Sequence, residues 1–167
     1  MENTQSSPPE RRSVLVHCAR TAVVAIVSLV IAELCRLREP FWAPITTLVI
    51  AQSSLGAAWA VSRQRLIGTV LGAGVGAIAA TYFDPSSHPA LHVLVFGVCV
   101  FLLGLICELS HLDIVAYRFG SITVVVVLIV PLHGAGWRIA LDRCVTVSVG
   151  ILVALALARI WPEKAPG

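Results

Sequence analysis

Apolar residues in this chain come in long runs, without the alternation of strands or the narrow stripe of a soluble helix. Six runs can be drawn, over residues 14–34, 41–60, 66–83, 91–107, 115–132 and 140–161. Each is close to the roughly 20 residues a helix needs to cross about 30 Å of hydrocarbon. Non-alternating runs of this length disfavour barrel strands. The pattern predicts an all-α integral membrane bundle of six transmembrane helices over residues 14–162, with short connections and antiparallel neighbours. Residues 1–13 are polar, hold Pro8 and Pro9, and predict a disordered N-terminus; residues 163–167 form a short C-terminal tail. His17 and Arg20 interrupt the first run and Glu33 follows it, which argues against a cleaved signal peptide.

Two patterns sit inside these runs. Gly68, Gly72 and Gly76 recur every fourth residue, so they share one helix face, and Ala80 extends it. In a soluble helix each interior glycine costs about 1 kcal/mol relative to alanine. In a bilayer such a face lets a second backbone approach closely, either within one bundle or between copies of the chain. The second pattern is a weak internal repeat. Thr46 lies 19 residues before Arg65, and Arg65 lies 7 before Gly72; Thr123 lies 20 before Arg143, and Arg143 lies 7 before Gly150. Three spans is an odd number, so two such halves run in opposite directions, which suggests a 3+3 inverted repeat of the transporter kind.

Composition strengthens the membrane reading. The chain has 167 residues, 57% of them hydrophobic and 13% charged, where soluble domains carry about 25% charged residues. No basic stripe with interleaved aromatics is present, so a nucleic-acid partner is not expected. The five cysteines are odd in number and show no C-x-x-C spacing, so they read as small buried side chains. With the N-terminus placed in the cytoplasm, eight Lys and Arg residues fall on the inner side and four on the outer. That bias puts both termini inside.

Ionisable and amide groups within spans are costly in lipid and so are the candidates for chemistry. Arg20 lies six residues into the first run and either snorkels to the inner surface or lines a polar cavity. Gln52 needs a partner, from another helix or from a substrate. Arg65 heads the glycine helix, as an anchor at the headgroups or as an anion contact at a helix N-terminus. Arg118 opens the fifth run. Asp142 and Arg143 open the sixth and can neutralise each other. Glu33 fits the outer headgroup region, and Trp42 fits the interfacial aromatic belt. The histidines are scattered, and no G-x-S-x-G, H-E-x-x-H or G-K-[ST] motif occurs. No enzyme activity, cofactor or metal is expected.

Two passages carry a family likeness. The first is Phe41-Trp42-Ala43-Pro44-Ile45-Thr46 followed by Arg65-Leu66-Ile67-Gly68-Thr69-Val70-Leu71-Gly72. The second is Ala116-Tyr117-Arg118-Phe119-Gly120-Ser121-Ile122-Thr123 with Arg143 through Gly150 and Ile160-Trp161-Pro162. In order and spacing the chain resembles the membrane domain of the fusaric acid resistance family, also called aromatic acid exporters. The resemblance implies a six-helix bacterial inner-membrane protein that exports small aromatic or other organic anions. Arg20, Gln52, Arg65, Arg118 and Arg143 are then the candidate substrate contacts, and a periplasmic adaptor is a candidate partner. Thr146 stands where relatives commonly carry an acidic residue. Many relatives continue into a cytoplasmic domain or a second membrane half. The resemblance therefore also implies a homo-oligomer or, alternatively, a non-transporting assembly module that represents a reduced half of a larger exporter.

Overall fold

The computed structural model describes residues 8–50, 55–83, 89–130 and 135–160. These residues form six helices: α1 (Pro8–Leu34), α2 (Trp42–Ile50), α3 (Leu55–Tyr82), α4 (Pro89–Leu109), α5 (Ile114–Leu128) and α6 (Gly136–Ile160). No strand occurs among the described residues. Apolar stretches long enough to cross a bilayer lie in α1 (Leu15–Leu34), α3 (Gly56–Tyr82), α4 (Ala90–Leu109) and α6 (Gly136–Ile160). α5, with 15 residues, is shorter and reaches about 22 Å at 1.5 Å per residue, and nine residues of α2 are described.

The helix boundaries depart from the sequence reading for one recurring reason. α3 begins at Leu55, so Arg63 and Arg65 lie inside it. α6 begins at Gly136, so Asp142 and Arg143 lie inside it as well. A charged residue lowers local hydropathy and reads as a loop, yet arginine is a good helix former and leaves the backbone ladder intact. The reading of Arg65 as an anion contact at a helix N-terminus is therefore corrected: the chain is already helical at Leu55, well before it. Arg65 and Arg143 also drop out of the loop-charge comparison. At the N-terminal end, α1 is already helical from Pro8. Gln52 lies outside the described residues.

Polarity is distributed as lipid requires. Ile78, Phe101 and Leu152 are each more than 60% exposed, whereas Ser28, Thr46, Thr47, Thr69, Thr123 and Thr146 are buried. Apolar surface facing acyl chains costs nothing, while a hydroxyl there needs a partner. The threonines find one locally: Thr46, Thr69, Thr123 and Thr146 each donate to the carbonyl four residues earlier. Thr47 ties three helices together, its Oγ1 lying 2.7 Å from the Ser28 hydroxyl on α1 and 3.1 Å from the Gly150 carbonyl on α6.

α3 is the axis of the bundle. It runs parallel to α5, with Gly68 against Ala116, Gly72 against Gly120 and Gly76 against Val127. A methyl group at Gly68 would come within 2.1 Å of the Ala116 carbonyl oxygen, and one at Gly72 within 2.2 Å of that of Gly120. The glycine face is thus consumed inside the bundle, so any self-association must use another surface. α6 runs antiparallel to α3, with Gly136 against Ala80 at one end and Ala154 clustered with Ala58 at the other. α2 runs parallel to α6, with Gly150 against Ala43 and Thr46.

α1 and α4 terminate alike. After α1, Arg36 N–H donates to Glu33 O and Leu37 N–H to Ala32 O, and Arg36 has φ 52°. After α4, His111 N–H donates to Glu108 O and Leu112 N–H to Cys107 O, and His111 has φ 50°. Both are Schellman turns with a left-handed residue that is not glycine. The sequences match as well: Glu33-Leu34-Cys35-Arg36-Leu37 against Glu108-Leu109-Ser110-His111-Leu112.

Candidate functional site

Arg65 and Arg143 define the site. Arg65, on α3, is 4% exposed, and Arg143, on α6, is 3% exposed. Helical geometry explains why the flanking residues go elsewhere, because successive side chains diverge by about 100°. Gln64 is turned to Asp113, just ahead of α5, and hydrogen-bonds its carboxylate. Asp142 is turned to Arg38, 3.8 Å away and partly exposed. The expected neutralisation of Arg143 by Asp142 is therefore corrected: adjacency in sequence points them in different directions.

Each guanidinium lies over an aromatic ring. The central carbon of Arg65 is 4.2 Å from the centroid of Phe119 on α5, and that of Arg143 is 3.8 Å from the centroid of Trp42 on α2. A cation over a ring face is attracted by the ring quadrupole, worth about 2 kcal/mol when desolvated. That helps to hold the charge but does not neutralise it. Arg65 Nη2 donates to Thr46 Oγ1 at 3.0 Å. Among the described residues its Nε is buried without an acceptor, as are Nε and Nη1 of Arg143. Neither arginine makes an ion pair among the described residues. The result is two buried cations whose N–H donors are left over among the described residues. A buried donor without an acceptor costs free energy, and an unpaired buried charge costs more. Such an arrangement suits a guest that brings negative charge and acceptor oxygens, a carboxylate foremost.

The other candidates fall elsewhere. Arg118 is exposed, on a different side of α5 from the buried Ala116, Gly120 and Thr123. Arg20 is buried on α1, about 12 Å along the helix from Ser28. Glu33 is exposed. Two contributors were not legible as such. Trp42 is partly exposed and packs on Arg143, a contact that the sequence alone does not give. Phe119 enters the sequence reading only as part of the second family passage. A signal for both existed: Trp42 stands four residues before Thr46, and Phe119 four before Thr123, so the aromatic belongs to the repeated pattern.

The model of the fusaric acid resistance protein-like family matches residues 24–157, which takes in every residue of this site. The chain belongs to that family. Among its fusaric acid resistance-like relatives, the inner membrane protein YccS of Escherichia coli is 28% identical over 148 residues, covering 88% of this chain and 20% of YccS. The uncharacterized protein ORF2 of Neisseria gonorrhoeae is 25% identical over 151 residues, covering 88% of this chain and 34% of its own. An uncharacterized protein of Haemophilus influenzae is 26% identical over 149 residues, with 88% and 20% covered. The chain thus spans between a fifth and a third of the length of these relatives. No solved structure matches it. Family membership and the apolar helices together make it a membrane protein.

Proposed function

We propose that this chain is a transport domain that exports small organic anions, aromatic carboxylates among them, across the bacterial inner membrane. On this reading it has two halves of opposite orientation, α1–α3 and α4–α6, and its termini are cytoplasmic. The observation that carries the reading is the Arg65–Arg143 pair, two almost fully buried guanidinium groups without an ion-pair partner among the described residues.

Several features support the two halves. α1 and α4 end in the same Schellman turn. α5 is short, and short or interrupted helices mark the binding region of inverted-repeat transporters. The arginine of each half lies over the aromatic of the other, Arg65 on Phe119 and Arg143 on Trp42. Corresponding helices run in opposite directions, since α3 is antiparallel to α6.

Efflux of benzoate from proteoliposomes tests the transport reading. Arg65→Ala removes charge-assisted hydrogen bonds worth about 1.5–3 kcal/mol each, so efflux is expected to fall at least about tenfold. The variant should keep the elution volume of the wild type in detergent. Undiminished efflux from an intact variant rejects the role of Arg65, and a purified wild-type protein that moves no anion favours the assembly module.

A further inference from the structure

The Arg65–Thr46 and Arg143–Thr123 pairs match in residue type but differ in contact. Arg65 donates to Thr46, the threonine of its own half, at 3.0 Å. The corresponding pair in the other half is Arg143 and Thr123. Thr123 is fully buried and donates to Phe119 O, as Thr46 does to Trp42 O, yet Arg143 makes no hydrogen bond to it. A second asymmetry accompanies the first. Gln64 on α3 is hydrogen-bonded to Asp113, directly after Leu112 of the second Schellman turn. Asp142 on α6 reaches Arg38, directly after Leu37 of the first, only at 3.8 Å. Gln64 directly precedes Arg65 as Asp142 directly precedes Arg143, so these are corresponding contacts, a hydrogen bond beside Arg65 and a longer ion pair beside Arg143.

We propose that Thr46 and Thr123 are equivalent positioning residues, each holding the arginine of its own half in one of two alternating states. The structure has the Thr46–Arg65 arm engaged. In the other state Arg143 donates to Thr123, Arg65 leaves Thr46, and the Arg38–Asp142 contact tightens while Gln64–Asp113 loosens. Inverted halves make this exchange natural, because swapping the conformations of two like halves yields a second state of similar energy that faces the opposite side of the membrane. The donor count favours it too. Each arginine has N–H groups to spare, and each threonine keeps a lone pair free after donating to its own helix. This inference rests on the two-half reading but not on the identity of the anion.

Its test therefore reads conformation rather than transport. Two cysteine pairs are introduced separately, Gln64→Cys with Asp113→Cys, and Arg38→Cys with Asp142→Cys, and their oxidative cross-linking rates are compared in native membranes. Thr46→Val removes the arm engaged here, and the ratio of the first rate to the second is expected to fall about tenfold, the scale of one hydrogen bond to a charged group. Adding Thr123→Val weakens the other state equally and is expected to restore the wild-type ratio. Thr46→Ser keeps the hydroxyl and should leave the ratio unchanged. A ratio unmoved by Thr46→Val, or not restored by the second substitution, overturns the proposal. A merely structural role for Thr46 gives the first shift without the rescue. If the ratios behave as expected while benzoate efflux is absent, the export reading fails and the two-state exchange stands.

Discussion

Gly72→Ala is expected to abolish the folded bundle, while Gly74→Ala, two residues away on the same helix, leaves it intact. The added methyl at position 72 would lie 2.2 Å from the Gly120 carbonyl oxygen and 2.8 Å from its Cα. These are backbone atoms of α5, which no rotamer change can move aside. α3 and α5 must then separate, and the contact of Gly68 with Ala116 opens with them. Dispersion falls off steeply with such a gap, so the loss extends along the whole seam. Overpacking of this kind costs about 1–3 kcal/mol and more where the backbone must shift. At Gly74 nothing lies within 4 Å of the new methyl, and alanine there gains about 1 kcal/mol of helix propensity. Size-exclusion chromatography and thermal melts in detergent separate the two outcomes. A Gly72→Ala protein with a wild-type elution profile and melting temperature would mean that α3 and α5 do not pack as described.

Arg143→Met is expected to make the protein more stable and less active. Arg143 is 3% exposed, with Nε and Nη1 buried and without acceptors. Replacing buried ionic groups by well-packed apolar side chains of similar size is often stabilising, by about 1–4 kcal/mol. Methionine has nearly the same reach, and its sulfur packs well beside an aromatic ring such as Trp42. For a chain of this size such a gain corresponds to a melting-temperature rise of about 5 °C. Anion efflux should be lost, since one of the two buried cations is gone. Arg143→Lys keeps the charge but loses the planar fork, so partial efflux without the stability gain is expected. A lower melting temperature for Arg143→Met would assign Arg143 to the framework of the bundle and remove the main argument for an anion site. Stability gained at the expense of activity is the signature of a strained functional group.

Much of the architecture was legible because it depends on composition and local spacing. Run length gave a helical membrane protein. The spacing of Gly68, Gly72 and Gly76 gave a close-packing face, since small residues four apart line up on any α-helix. Arg65 and Arg143 stood out because charge within an apolar run needs an explanation wherever it occurs. What misled was the same charge read as a boundary. Hydropathy averages over neighbours, so it cannot separate a loop arginine from one turned inward within a continuous helix. The Asp142–Arg143 pair failed for a related reason: sequence adjacency is not spatial adjacency on a helix. The matching Schellman turns share the pattern Glu-Leu-x-(Arg or His)-Leu, which is too short to specify a turn without the hydrogen bonds that close it.

By itself, then, the sequence determined the solvent, the helical class, the packing face and the cations that need explaining, because each follows from residue type and from periodicity along one helix. Only the tertiary structure decided that Arg65 and Arg143 share one site, that Phe119 and Trp42 lie beneath them, and that Thr46 holds one arginine while Thr123 holds none. Those contacts join residues on different helices, and their geometry depends on how closely α3 meets α5. That distance is set by backbone touching backbone at Gly68 and Gly72. Spacing along the chain can announce such a contact, but it does not name the partner.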